Sequence, residues 1–183
     1  MSSMNEFLDA VAADLKAKFP GVKSCEVHPG QFDLKELARI SSQAPAFRVA
    51  TYEFSKIDEA DGGEVDFDCG LSLAIITTDK KGLPREVAAV TLSEQLTRLL
   101  AKGQSFGCDY AFPSHSPTAR NLYGGELSAK KVQMWEVKWR QTVRLGDPDW
   151  QPEGVMPTEL YAGQSPDIGI GHEEDYKRIG GEG

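Results

Sequence analysis

The residues that could do chemistry are scattered along this chain, and each has an ordinary reading beside the functional one. Cys25 and His28 stand at a spacing used by metal ligands. A zinc site needs about four ligands, and no second Cys/His pair follows nearby. A partly buried thiol beside an exposed imidazole is the better account. Ser114-His115-Ser116 sets nucleophile types next to a base type. Adjacent residues of a proline-rich loop point in different directions, however, and no G-x-S-x-G elbow surrounds either serine. Asp66 and Asp68 alternate on an expected strand and could pair as general acid and base. Acids at i and i+2 on a wet strand face are commonplace. Gly169-Ile170-Gly171 begins like a dinucleotide fingerprint, but position 174 is Glu where the third glycine belongs, and no strand-then-helix context surrounds it.

Aromatic residues offer a second kind of candidate. Trp135 and Trp139 could form a recognition pair, but they share the apolar side of an expected strand and read as core. Trp150 and Tyr161 lie outside regular elements and are better contact candidates. With Asp61 and Gly62 at an expected hairpin tip, they make up the candidate interface. No residue is assigned a catalytic, metal-binding or cofactor-binding role.

Composition bounds the possibilities further. The 183 residues, 40% hydrophobic and 26% charged, suffice for one packed domain plus a tail. No apolar run approaches the ~20 residues needed to cross a bilayer. MSSMNEFLDA lacks the basic start and apolar stretch of a secretory signal, so a cytoplasmic location is expected. Three widely spaced cysteines suit reduced thiols better than a disulfide framework. A formal net charge of −8 argues against a surface that grips phosphate. That charge is uneven. The nine acids after Gly146, against only Lys177 and Arg178, leave residues 1–146 nearly neutral.

The elements that must position these residues follow from periodicity and punctuation. Phe7, Leu8, Val11, Leu15 and Phe19 mark one face of a helix from Asn5 to Phe19, stopped by Pro20-Gly21. A short strand, Val22 to Val27, precedes the His28-Pro29-Gly30 turn. Asp33 can cap a helix from Leu34 to Ile40. Ala46 to Phe54 reads as a strand, Ser55 to Glu64 as a hairpin connection, and Val65 to Asp79 as the returning strand. A helix from Arg85 to Lys102 carries a stripe of Val87, Val90, Leu92, Leu96, Leu99 and Leu100, and Gly103 ends it. Gln104 to Ser128 reads as loop. In the last strand, Lys131 to Leu145, Trp135, Val137, Trp139, Gln141, Val143 and Leu145 alternate with Glu136, Lys138, Arg140, Thr142 and Arg144. One side of it is therefore expected buried and the other wet. After Gly146, four prolines and many glycines predict an irregular, extended C-terminal tail. The fold class is α+β: a domain over 1–146 with a mainly antiparallel sheet and helices packed on a face, then an acidic Pro/Gly-rich arm over 147–183.

In order and pattern, these elements resemble the tail terminator family of Mu-like long-tailed phages over residues 5 to about 146. The carriers are the first helix with Phe19-Pro20-Gly21-Val22, and the Val27-His28-Pro29-Gly30 turn leading to Leu34 and Leu37. Ala44-Pro45-Ala46 and the run from Trp135-Glu136-Val137 to Val143-Arg144-Leu145-Gly146 complete them. The resemblance implies a non-enzymatic subunit that forms a hexameric ring on the tail tube, stops tube polymerisation and offers a surface to the head-tail connector. It implies no cofactor, no specific nucleic-acid binding and no membrane, with assembly in the host cytoplasm and residence in the virion tail. A neighbouring neck or tail-completion protein is the first alternative. The second is a small cytoplasmic hydrolase using His115 or the Asp66/Asp68 pair.

Overall fold

A computed structural model describes residues 2–29, 34–60, 63–122, 131–146, 160–162 and 177–180. Helix α1, Met4–Lys18, begins at Ser3, whose Oγ accepts the Glu6 N–H at 3.3 Å while the Glu6 carboxylate accepts the Ser3 N–H at 2.9 Å. This reciprocal box satisfies two backbone donors that a helix start otherwise leaves open. Phe7, Leu8, Val11, Ala12 and Leu15 form its buried face, one turn apart as the sequence predicts.

The next elements are β1 (Ser24–Val27), α2 (Leu34–Ser41), β2 (Ala46–Glu59) and β3 (Val65–Thr78). They are followed by α3 (Arg85–Leu100), β4 (His115–Asn121) and β5 (Val132–Leu145). Five strands form one sheet in the order β1-β2-β3-β5-β4. Only β1 and β2 pair in parallel; the other three pairings are antiparallel. The fold is α+β with a mainly antiparallel sheet. The Asp33 cap lies outside the described residues.

Register sets the two faces of the sheet. Leu71 opposes Trp139, Leu73 opposes Val137, and Val49 opposes Leu73. These side chains join those of α1 and α3 in the larger core, where Trp139 is 1% exposed and Trp135 packs at the margin. A smaller core gathers Leu37, Ile40, Ala46, Ala74, Ile76 and Val132. Helix α2 thus covers the opposite face, so helices pack on both sides and not on one.

Three differences from the sequence reading have physical causes. The buried line of α3 is Ala88, Ala89, Ser93, Leu96 and Leu100, while Val87 and Val90 are exposed. Small residues let the helix approach the sheet closely, and the Ser93 hydroxyl is satisfied by donating to the Ala89 carbonyl at 2.8 Å. Hydrophobicity alone ranks valine above both. Strand β2 continues five residues past Phe54, through a register shift between Lys56 and Asp58, so half of the expected connection is strand. Strand β4 lies in the expected loop. It is an edge strand with Pro117 inside a bulge, where no ladder donor is lost, and its polar exposed residues give no alternation to read.

Residues 150–183 form a separate compact unit. Within it β6 (Leu160–Ala162) and β7 (Lys177–Gly180) pair antiparallel. These short strands fall in proline-free stretches of a segment expected to hold no regular element.

Candidate assembly surface

The β2-β3 hairpin differs sharply along its length. Ala46 to Ala50 are buried, whereas every residue from Tyr52 to Glu59 is exposed. Strand β1 flanks β2 only from Ala46 to Val49, after which the His28 N–H donates to the Val49 carbonyl at 2.8 Å. Among the described residues no strand pairs with the outer edge of β2 from Thr51 onward. Unpaired edges of this kind accept partners. This one also carries apolar side chains, Phe54 at 55% and Ile57 at 56% exposure. Phe54 meets Phe67 of β3 edge to face, with ring centroids 5.8 Å apart. Beside them, a Cβ on Gly70 would come within 2.5 Å of the Tyr52 ring, so the bare backbone of Gly70 makes room for it. The Lys138 ammonium stands 4.6 Å from the centre of that ring. Asp61 and Gly62, the expected contact residues at the tip, lie outside the described residues, as does Trp150. Tyr161 falls in β6, where its backbone pairs with Arg178.

A second exposed apolar patch begins α3 and the turn before it. Leu83, Val87 and Val90 are 43%, 53% and 49% exposed. Spaced by four and three residues, they form one outward stripe opposite the buried Ala88, Ala89 and Ser93.

The chemistry-bearing residues are not brought together. Cys25 packs against the larger core, and burial pushes its thiol up to about 12, which leaves the sulfur inert. His28, three residues on, lies on the other face of the sheet. The expectation of an exposed imidazole is corrected here: the ring is buried, with Nε2 3.0 Å from Glu36 Oε1. Ser114 is buried and structural, its hydroxyl donating to the Leu100 carbonyl at 2.9 Å and accepting the Gln104 N–H at 2.8 Å. His115 is exposed on β4, its Nδ1 3.1 Å from Ser116 Oγ. Asp66 and Asp68 share a face, but each is clamped by an arginine of β5. Arg144 donates to both Asp66 oxygens at 2.8 and 2.9 Å, and Arg140 holds both oxygens of Asp68 and reaches Glu53 at 3.3 Å. The Arg144 guanidinium holds the Asp66 carboxyl below the usual carboxylate range. Asp66 is thereby favoured as an anion, and Asp68 is taken up by its arginine, so the two do not face each other as an acid-base pair. His115 pairs across to Arg140 and Asp66 to Arg144, on different strands and four residues apart along β5. The Gly169-Ile170-Gly171 run lies outside the described residues.

One cluster was not foreseen. Arg48 of β2 is buried, donating to Ser24 Oγ at 2.6 Å, the Phe47 carbonyl at 2.7 Å and Gln43 Oε1 at 3.2 Å, and facing Glu26 at 3.2 Å. Burial lowers its value and Glu26 opposes that shift. With His28, Ser72 and Glu136 it lines a cavity of about 90 Å³. That volume holds a few waters and falls well short of the roughly 300–1,000 Å³ of a small-molecule site. The larger hollow, about 520 Å³, is an open groove between the end of α1 and α3, where Lys18, Arg98 and Lys102 are all cations. Neither joins an acid, a base and a nucleophile.

Among the described residues no three potential metal ligands cluster, and no helix is long and apolar enough to cross a membrane. No protein-family model matches the chain, and no curated protein matches it.

Proposed function

We propose that this protein is a structural tail terminator of a long-tailed phage, whose copies close into a hexameric ring on the last ring of the tail tube. The ring stops tube polymerisation and presents a surface to the head-tail connector. The observation that carries this reading is the bare half of the β2-β3 hairpin. Strand β2 runs beyond its covering elements and, among the described residues, holds an unpaired edge with Phe54 and Ile57 exposed. A solitary soluble protein gains nothing from such an edge; a subunit that meets its neighbours uses it. Asp66 and Asp68 are engaged by arginines and Cys25 packs against the core, which supports the same reading. A net charge of −8 also suits a component through which DNA must pass without being retained.

The test is to add purified protein to polymerising tail tubes. Tubes of limited length, each ending in a six-fold cap, are the expected result. Unchanged tube growth with no bound protein contradicts the proposal. Density found against the portal, away from the tube end, assigns the chain to the neck instead.

A further inference from the structure

We infer that the bare end of the β2-β3 hairpin docks on the α3 entrance of the next copy of the same chain, forming the repeated contact of the ring. This rests on the ring reading above and names its interface. The two exposed apolar patches sit at opposite ends of one strand. Phe54 and Ile57 flank the start of β3, and Leu83, Val87 and Val90 follow its end. Phe54 is opposite Cys69, and from there to the end of β3 at Thr78 a rise of about 3.3 Å per residue spans roughly 30 Å. One subunit therefore cannot cover its own patches with each other. Two different surfaces at opposite ends of a rigid sheet are what a head-to-tail contact requires, and such contacts close into rings when the rotation per subunit divides the circle.

Charge points to the same pairing. The hairpin end carries Asp58 and Glu64, with Lys56 and Glu59 paired to each other. The turn before α3 exposes Lys80 and Lys81, while Arg85 is occupied by Asp79 and Glu86 at 3.5 and 2.9 Å. An acidic rim around an apolar centre thus faces a basic rim around another. Apolar anchors inside complementary charged rims give both affinity and register.

The test uses two full-length variants, Ile57→Asp with an impaired hairpin and Val87→Asp with an impaired helix. Both positions are exposed, so melting temperatures within a degree or two of the parent are expected and serve as the folding control. Each variant alone should be monomeric at concentrations where the parent forms rings, or should fail to ring on tube ends if the parent rings only there. Mixed one to one, they should form a heterodimer that grows no further. The intact hairpin of Val87→Asp then meets the intact helix of Ile57→Asp, and the two remaining surfaces are both blocked. Rings formed by either variant alone overturn the inference and leave the ring reading standing. So does a Val87→Asp protein that still rings but no longer binds tubes, which assigns the α3 patch to the tube. A parent that forms no ring under any condition, tubes included, fails the ring reading first and this contact with it.

Discussion

The two halves of β2 belong to one strand in one sheet, yet Ala46–Ala50 are buried and Tyr52–Glu59 are exposed. Strand propensity does not separate them: Phe47 and Val49 on one side, Phe54 and Ile57 on the other, are of the same kinds. What differs is cover. The first half has β1 on its edge, α1 on one face and α2 on the other, whereas among the described residues β3 is the one strand paired with the second half. A strand exposed along eight residues, with Tyr52, Phe54 and Ile57 among them, points to function more directly than any of the polar motifs does.

The contrast can be broken first at the covered end. Trp139→Ala removes the largest fully buried side chain and its contact with Phe106, and should cost about 3–5 kcal/mol in denaturant unfolding. Gln141→Leu should come next. The buried Gln141 amide donates to the Gln104 and Phe112 carbonyls at 2.8 and 2.7 Å and accepts from the Trp139 indole at 3.2 Å. Three polar groups lose their partner, and a loss of about 1–3 kcal/mol is expected by the same measurement. At the bare end, Phe54→Ser should cost about 1 kcal/mol or less, because only the edge contact with Phe67 is given up. A loss as large as that of Trp139→Ala would mean that the hairpin end is covered after all.

The smallest effect concerns acid. Asp66 is held below its unfolded value by Arg144, so its contribution is present above about pH 4 and is lost as pH falls through the depressed value. Arg144→Ala should remove that contribution across the neutral range, leave stability below the depressed value unchanged, and so flatten the acid limb of the stability curve. An acid limb identical to the parent's would show that the pair does not act on stability.

How far the sequence could be read depended on what set each side chain's fate. The alternation of β5 was legible because Val137, Trp139, Gln141 and Val143 turn inward while Arg140 and Arg144 turn outward, each following from the pleat alone. The face of α3 was not, since Ala88, Ala89 and Ser93 win their buried places by size and a local hydrogen bond. Arg48 resembles any charged strand residue; its burial comes from α2 and from Ser24, Gln43 and Glu26 closing around it. The outer half of the hairpin was less legible: the bulges after Thr51 and Lys56 break the alternation that would have shown Ser55 to Glu59 as strand. The α3 patch is hidden in the sequence because Val87 and Val90 fall in the same apolar stripe as the buried Leu96 and Leu100.

The central claim is that copies of this chain close into a ring. Electron micrographs of the purified full-length protein, taken over a range of concentrations with and without tail tubes, test it without any assay. Rings of six-fold symmetry are the predicted result. Isolated monomers in every field, including those around tube ends, would contradict it.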